Sequence, residues 1–148
     1  MVEKKTLTFK KGLVLYYSAT GNTKSLVDLL DKNKYDVLNV RELDLSALEN
    51  YDVIVLGMST WGRGMPPQPF VVASKAIASL KSKIVLLMGS GRVDYEYFCG
   101  ALDLFKSLLE PHNHVHEDII RADGYPSKEV FEYARATIKE FESYAFKQ

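Results

Sequence analysis

The chain has 148 residues, of which 47% are hydrophobic and 26% charged, and its 19 basic and 19 acidic residues leave no formal net charge. This size and apolar content predict a single domain over residues 1–148, and the balanced charge argues against binding to nucleic acid or a membrane surface, which needs a basic excess. Cys99 is the only cysteine, so no intrachain disulfide can form and a cytoplasmic location is expected.

The predicted strands comprise three apolar runs and two weaker segments. Residues 13–17 form the first uninterrupted apolar run, and residues 35–40 form a weaker strand with interleaved polar residues. Uninterrupted runs return at residues 53–56 and 84–88, and a second weaker strand is predicted at about residues 113–121. Short apolar runs are typical of strands covered on both faces of a parallel sheet. Because the apolar runs are strand-sized, we expect neither a secretion signal nor a membrane span.

Between these strands the spacing of apolar residues becomes helical. The four apolar faces are Leu26, Leu29 and Leu30; Phe70, Ala73, Ile77 and Leu80; Phe98, Leu102, Phe105 and Leu109; and Val130, Ala134, Ile138, Phe141 and Ala145. Ser46 and Glu49 have the spacing of a capping box, which predicts a helical turn within residues 41–52. Ser127 follows a proline and is the predicted N-cap of the last helix.

Strands that alternate with helices predict an α/β domain with a doubly wound, five-stranded parallel sheet and helices on both faces. If the three most apolar strands are central, the strand order is 2-1-3-4-5, which right-handed crossovers permit. In this order the chain reverses direction between the first and third strands. The crevice outside their carboxyl ends is therefore the expected ligand site.

The loop after the first strand reads Ser-Ala-Thr-Gly-Asn-Thr at residues 18–23. Its hydroxyl, amide and backbone N–H groups can surround an anion, helped by the dipole of the following helix. The loop lacks the Gly-Lys-Ser/Thr ending of a triphosphate-binding loop, which disfavours nucleotide hydrolysis. An ordinary polar turn in which Thr23 caps the helix is the alternative that this loop leaves open.

Two further loops border the same crevice. Residues 59–67 contain Trp61, the only tryptophan, which offers a flat platform for a planar ligand. The alternative is a tryptophan packed over the end of the sheet. Residues 89–101 contribute Tyr95 as a second aromatic plane and glycines that let the backbone approach a ligand closely. A phosphate cradle and two aromatic plates together predict a phosphorylated planar ligand.

The segments Ser-x-Thr-Gly-Asn-Thr, Ser-Thr-Trp-Gly and Tyr-Glu-Tyr-Phe-Cys-Gly-Ala resemble those of short-chain flavodoxins in order and spacing. The resemblance runs from about residue 13 to the final helix. It implies the flavodoxin-like fold and a low-potential electron carrier that binds FMN non-covalently and is not an enzyme. It also implies a monomer that exchanges electrons with redox partner proteins, namely a flavodoxin reductase or similar donor and an acceptor enzyme.

The resemblance further implies a set of cofactor-binding residues, with no catalytic residue and no metal ligand. They are Ser18, Ala19, Thr20, Gly21, Asn22, Thr23, Ser59, Thr60, Trp61, Gly62, Arg63, Ser90, Gly91, Arg92, Tyr95, Tyr97 and Cys99. Ser18, Thr20, Asn22 and Thr23 would bind the phosphate, and Ala19 stands where the family frequently has a hydroxyl.

The remaining implied roles concern the flavin ring. Trp61 and Tyr95 would cover its two faces, and the Gly62 carbonyl would lie beside N5. The backbone N–H groups of Arg92 and Cys99 would donate to the pyrimidine O2. The carbonyl of Tyr97 would accept from N3–H.

Arg63 and Arg92 depart from the family pattern, because acidic residues are usual at both positions. Positive charge there stabilises an anionic, reduced flavin, so we expect a less negative potential than in acidic relatives and a preference for an acidic partner. The arginines also keep open a second function, that of a flavoprotein activator of manganese ribonucleotide reductase.

Two other functions of the same fold are less compatible with the sequence. A small NAD(P)H-dependent FMN or quinone reductase usually has a longer chain and a pocket for a second substrate. A response regulator needs an acidic cluster after the first strand, where this chain has Ser18 and Ala19.

The residues outside these loops have ordinary structural interpretations. His112, His114 and His116 alternate and would share one face of a strand, where a solvated edge is expected rather than a metal site. Cys99 begins an amphipathic helix and is expected to pack as a small apolar group rather than act as a redox thiol.

Overall fold

The computed structural model describes residues 10–61, 64–94 and 97–146. The strands are β1 (Gly12–Tyr17), β2 (Tyr35–Asn39), β3 (Val53–Ser59), β4 (Ile84–Gly91), β5 (His114–Val115) and β6 (Ile120–Asp123). The helices are α1 (Asn22–Val27), α2 (Gln68–Ala78), α3 (Gly100–Leu109) and α4 (Lys128–Ala145), with a 3₁₀ helix at Leu45–Asn50.

The strands form one parallel sheet in the order β2-β1-β3-β4, and both β5 and β6 pair with the free edge of β4. The predicted order 2-1-3-4-5 is therefore confirmed, with the two weaker segments at the edges of the sheet. The assumption that the most apolar strands are central gives the correct order, because central strands of a parallel sheet are covered on both faces. Edge strands, by contrast, keep polar groups in contact with water.

The fifth position of the sheet differs from the prediction, because two short strands fill it instead of one. Val115 pairs with Val85, and Ile120 pairs with Met88. From Val115 to Ile120 the edge segment advances by five residues, whereas the paired segment of β4, from Val85 to Met88, advances by three. The extra residues leave the ladder between β5 and β6, where the side chains of Glu117 and Asp118 are exposed.

The alternating histidines do not share one solvated face, so that expectation is wrong for His116. His112 and His114 are exposed, but the side chain of His116 is only 6% exposed. The reason is that β5 ends at Val115, so His116 no longer follows the alternation of a strand. Its ring packs instead against Tyr144 of α4.

Helices cover both faces of the sheet and bury the predicted apolar faces. On one face, Phe70 and Ile77 of α2 and Phe105 of α3 pack against Leu15 and Leu56. The core of the other face contains these residues of α1, α4 and the strands: Leu26, Val27, Ala134, Ile138, Phe141, Val14, Val55 and Leu86. Within the described part of the chain, the helices include none that is both long and apolar enough to cross a bilayer.

The two predicted helix caps have different outcomes. Ser127 caps α4 as predicted, since its Oγ accepts a hydrogen bond from the Val130 N–H at 3.1 Å. The 3₁₀ helix, however, is capped by Asp44 rather than by Ser46. Asp44 Oδ1 accepts from the Ser46 N–H at 3.1 Å and from its hydroxyl at 2.8 Å. A carboxylate two residues earlier thus takes the Ser46 N–H that Glu49 would accept in a capping box.

Strands β3 and β4 both extend beyond their apolar runs, to Ser59 and Gly91. Residues assigned to loops by their polarity, Ser59 and residues 89–91, are therefore strand residues. Gly89 makes the extension possible, because a Cβ built on it would lie 1.9 Å from the Met58 carbonyl oxygen. A side chain at this position would force β3 and β4 apart at the carboxyl edge of the sheet.

Replacing Gly89 by alanine should therefore be strongly destabilising. We expect a loss of about 3 kcal/mol or more in the free energy of unfolding, at the upper end of what overpacking costs, or failure to accumulate folded protein. Gly124→Ala is the matched control, since a Cβ there has nothing within 4 Å and only the φ of +66° is unfavourable, a cost of about 1–2 kcal/mol. Urea unfolding of both variants is the measurement, and equal losses would contradict the argument.

Candidate functional site

A cavity of about 820 Å³ opens at the carboxyl ends of β1, β3, β4 and β6, where the strand order predicts a crevice. This volume lies within the range of about 300–1,000 Å³ that is usual for small-molecule sites. The predicted residues that line it are Ala19, Thr20, Asn22, Ser59, Thr60, Trp61, Ser90, Gly91 and Arg92. Each of the three loops thus contributes a wall.

The first loop is braced from within by Ser18. Its Oγ accepts hydrogen bonds from the N–H groups of Gly21 at 3.1 Å and Lys24 at 3.2 Å. Gly21 precedes α1 with a φ of 92°, which glycine adopts without steric cost. This turn leaves the exposed Thr20 and the half-buried Asn22 facing the cavity. The cavity-lining side chains of this loop thus present a hydroxyl donor and an amide donor.

Thr23 lies behind the first loop and joins it to β4. Its side chain is fully buried, and its Oγ1 lies 2.8 Å from Ser90 Oγ. The alternative in which Thr23 caps α1 is therefore wrong; Gly21 occupies the cap position, without a side-chain bond. The Thr23–Ser90 pair fixes the first loop relative to the end of β4, and Ser90 is the member of the pair that lines the cavity.

Trp61 forms a wall of the cavity in the second loop. Its backbone N–H donates to the Met65 carbonyl at 2.8 Å, and its carbonyl accepts from the Gly64 N–H at 3.1 Å. The indole Nε1–H donates to Ser59 Oγ at 3.1 Å. The side chain remains 50% exposed, so it is a platform at the cavity mouth rather than a residue packed over the sheet.

The second loop also packs tightly against the third. Gly64 has a φ of +73°, and a Cβ on it would lie 2.9 Å from Tyr97 Cβ. Buried Thr60 connects the same loops, because its Oγ1 accepts a hydrogen bond from the Ala101 N–H at 3.0 Å in the first turn of α3. Its backbone N–H donates to the Ser90 carbonyl at 2.9 Å. Thr60 thereby holds the start of α3 beside the cavity.

Cys99 supports the third loop from inside the core. Its side chain is fully buried directly behind Gly91, where a Cβ would lie 3.2 Å from the Cys99 Sγ. Burial raises the pKa of the thiol to about 11, although the charge of Arg121 opposes the shift. The expectation that Cys99 packs as a small apolar group is confirmed, and a thiol with this pKa is a poor nucleophile.

Arg92 and Asp94, which both line the cavity, form an ion pair. The guanidinium of Arg92 donates two hydrogen bonds to Asp94, at 3.1 Å from Nε and 3.0 Å from Nη2. The hydrogen bonds from Arg92 hold the pKa of the Asp94 carboxyl below its usual range. On the neighbouring strand β6, Asp123 Oδ1 accepts from the Val93 N–H at 3.1 Å. The positive charge at Arg92 is thus balanced by the adjacent carboxylate.

Comparison with known proteins agrees with this geometry. The family model described as Flavodoxin matches residues 14–144. The chain belongs to the flavodoxin family. It is 34% identical over 131 residues to the flavodoxin of Maridesulfovibrio salexigens, a match that covers 80% of this chain and 90% of that protein. It is 30% identical over 146 residues to probable flavodoxin 1 of Bacillus subtilis, with coverage of 91% and 92%.

Solved structures give the same result for the fold. The crystal structure of oxidised flavodoxin 1 from Bacillus cereus has a TM-score of 0.83 at 26% identity, covering 91% of this chain and 99% of that one. Flavodoxins are FMN-binding electron-transfer proteins with redox protein partners, and they are not enzymes. The predicted family, fold class, cofactor and carrier function are therefore confirmed. The family is itself a standard example of ligand binding at this point of the strand order.

Some residues predicted for this flavodoxin's site do not line the cavity in the structure. Ser18, Gly21, Thr23, Tyr97 and Cys99 lie next to lining residues and shape the loops that carry them. Their direct contact with the cofactor stays a prediction. Gly62, Arg63 and Tyr95 lie outside the described residues, and the roles predicted for them also stay predictions.

Sequence reasoning missed four residues that line the cavity, namely Val93, Asp94, Asp123 and Gly124. Asp123 is the last residue of β6 and Gly124 follows it, and the Gly124 N–H donates to the Gly91 carbonyl at 2.9 Å. The sequence did contain a usable signal. Because the fifth strand is parallel to the others, its carboxyl end must lie at the same edge of the sheet as the cavity. The prediction ended that strand at residue 121, whereas β6 continues to Asp123.

The buried thiol of Cys99 gives a direct test of the third loop. With a pKa of about 11, the fraction of thiolate at pH 8 is about 100-fold lower than for an ordinary cysteine. Alkylation by iodoacetamide should therefore be at least about 100-fold slower in the folded protein than in urea. Mass spectrometry of timed samples measures both rates. Similar rates would mean that the loop opens and that Cys99 is not held as described.

Proposed function

We propose that the cavity at the carboxyl ends of β1, β3, β4 and β6 is the site where this flavodoxin holds FMN. The observation that carries the proposal is the combination of two kinds of chemical group in one cavity. Thr20 and Asn22 of the first loop contribute hydroxyl and amide donors, and Trp61 of the second loop contributes an aromatic plane. A ligand with an anionic group and a planar ring system matches this arrangement.

The residues present fit this cofactor in size as well as in chemistry. The volume of about 820 Å³ is ample for a mononucleotide. Gly91 and Gly124 line the cavity without side chains, and a Cβ on Gly124 would enter space with no atom within 4 Å. Backbone atoms can therefore reach the edge of a planar ligand at these points.

At the anionic end, we assign the phosphate to Thr20 and Asn22. Both residues line the cavity, and the Ser18 hydroxyl holds the turn between them by accepting from two backbone N–H groups. Ser18 would then act mainly by positioning the loop. Ser90 lines the cavity close by, with Thr23 fixing its hydroxyl from behind.

At the ring end, Trp61 would cover one face of the flavin, and the backbone at Gly91 and Arg92 would meet its edge. FMN, when bound, supplies reversible one-electron transfer chemistry. Trp61 contributes by packing against the ring and excluding water, which disfavours the addition of negative charge. The carboxylate of Asp123 in the cavity wall acts in the same direction.

Apolar side chains that stay exposed near the cavity mouth suit contact with redox partners. Trp61, Met65, Val93, Tyr97 and Tyr125 are each about half exposed or more. They belong to the loops that form or adjoin the cavity. Exposed apolar patches of this kind mark interaction surfaces, and small ones suit transient electron-transfer encounters. We propose that a reductase and an acceptor enzyme dock here in turn, on a cytoplasmic, monomeric, single-domain carrier.

The pairing of Arg92 weakens the argument for the ribonucleotide reductase activator. That function rested on two arginines near the flavin, and the carboxylate of Asp94 balances one of them. The carrier is therefore the function that we favour. A preference for an acidic partner, which rested on the same charges, is reduced for the same reason.

Binding of FMN and the role of Trp61 can be tested together. Protein freed of flavin should take up one FMN per chain, measured by quenching of flavin fluorescence. Trp61→Ala should weaken the affinity about fivefold or more, because aromatic stacking contributes about 1 kcal/mol. Tyr133→Ala is the matched control, since Tyr133 is an exposed aromatic residue of α4 outside the cavity. Failure to bind FMN, or equal losses in both variants, would contradict the assignment of the site.

The charge pairing predicts opposite shifts of the flavin midpoint potential. Arg92→Gln should make the potential more negative and Asp94→Asn less negative, with the double variant close to the parent. A unit charge about 8 Å away in a water-like dielectric corresponds to about 20 mV, and salt reduces it. Potentiometric titration followed by visible absorbance is the measurement. Shifts in the same direction would show that the pair does not act on the flavin through its charge.

A further inference from the structure

We propose that His116, Asp118 and Glu140 form a Zn²⁺ site at the edge of the sheet where β5 ends, separate from the FMN cavity. One ligand atom from each of these residues lies within 4.8 Å of the other two. His116 and Asp118 lie in the segment between β5 and β6, and Glu140 lies on α4. The site would thus join the divided edge of the sheet to the last helix.

The location is far from the cavity. The backbone N–H of His116 donates to the carbonyl of Val85, near the start of β4, at 2.8 Å. The cavity is reached at Ser90, five residues further along the same strand. At about 3.3 Å per residue this amounts to about 16 Å. The proposal therefore does not depend on how FMN is held.

The ring of His116 is held in one orientation before any ion binds. It is stacked on Tyr144 with centroids 5.7 Å apart and an interplanar angle of 28°, and it lies edge-on to Phe141, also at 5.7 Å. Its Nδ1 is hydrogen-bonded to the hydroxyl of Tyr144. In the tautomer with its proton on Nδ1, the ring donates to Tyr144 and presents the Nε2 lone pair. A second partner that fixes the ring in this way is characteristic of metal-binding histidines.

The decisive observation is that the Nε2 atom of His116 is buried and has no hydrogen-bond partner. Among the buried side-chain nitrogen and oxygen atoms of the described residues, it alone lacks one. The nearest carboxylate oxygen, Glu140 Oε1, lies 3.6 Å away, beyond hydrogen-bonding distance. Burying an unpaired polar atom is unfavourable. A cation between Nε2 and the carboxylates would satisfy all of these groups at once.

The separation of the ligand atoms suits a tetrahedral ion. Zn–N and Zn–O bonds of about 2.0–2.2 Å imply ligand atoms about 3.4 Å apart, close to the 3.6 Å between Nε2 and Glu140 Oε1. The side chains of Asp118 and Glu140 are exposed and can rotate to close the remaining distance. Two carboxylates balance the charge of a divalent ion, and water would complete the fourth position. An imidazole ligand favours Zn²⁺ over Mg²⁺ or Ca²⁺, which prefer oxygen ligands.

Isothermal titration of the FMN-loaded, EDTA-treated chain with ZnCl₂ tests the proposal. One Zn²⁺ should bind per chain, and Asp118→Asn and Glu140→Gln should each weaken binding at least tenfold. The exposed His114→Gln is the matched control and should bind Zn²⁺ like the parent. Both carboxylate variants change exposed residues, so their fold should be intact, as circular dichroism and an unchanged affinity for FMN will verify.

Two further measurements exclude other sources of binding. MgCl₂ titrated under the same conditions should give no binding heat, and Zn²⁺ should raise the melting temperature of the parent but not that of Glu140→Gln. The proposal is wrong if Zn²⁺ does not bind, if both carboxylate variants bind as tightly as the parent, or if His114→Gln abolishes binding. It is also wrong if Mg²⁺ binds as tightly as Zn²⁺. FMN affinity is read separately, so failure of the zinc site and failure of the flavin site are distinguishable.

Discussion

The architecture of the cavity depends on the small residues at the end of β4. Gly89 allows β4 to run beside the Met58 carbonyl, and Gly91 leaves room for Cys99 at the start of α3. Because α3 can begin so close to the strand end, Thr60 reaches the Ala101 N–H. The second and third loops then meet, with glycine facing Tyr97 at their contact. Larger side chains on β4 would separate these elements and remove the cavity walls.

Hydrogen bonds made by hydroxyl groups explain why the loops keep their shape without much regular structure. The hydroxyls of Thr23 and Thr60 each form a hydrogen bond that joins different loops of the site, and the hydroxyl of Ser18 holds the first loop together from within. Such fixed polar networks hold a site in one geometry before a ligand arrives, which reduces the ordering cost of binding. The first loop therefore combines two kinds of hydroxyl group. Thr20 faces the cavity, whereas Ser18 and Thr23 maintain the frame around it.

The fold was predictable wherever a pattern of burial determined it. Three apolar runs and four helical faces identify the central strands and the sides of the helices that pack on them, and together they imply the strand order. The incorrect predictions concern local interactions that a pattern of apolar residues does not reveal. Asp44 takes the donors of Ser46, and the extra residues between β5 and β6 remove His116 from the alternation of a strand.

The site was predictable to the extent that its residues are consecutive in sequence. Motifs in three loops located the cavity, but Thr23 and Ser90 are separated by 67 residues, and no spacing rule connects them. Asp123 and Gly124 were missed because the last strand is short and weakly apolar, so its carboxyl end was placed too early. Contacts over long sequence separations require the folded chain, even when every element has been identified.

The two ends of β4 illustrate how one strand can support independent sites. Its carboxyl end forms the cavity, while its amino end anchors β5 and, through Val85, the backbone of His116. An ion that binds only the folded chain stabilises it by mass action, and here it would join α4 to the weakest edge of the sheet. That edge continues through β6 to Asp123 in the cavity wall. Zinc binding would therefore influence the flavin site only to the extent that this edge opens in the free protein, because the ion itself touches no cavity residue.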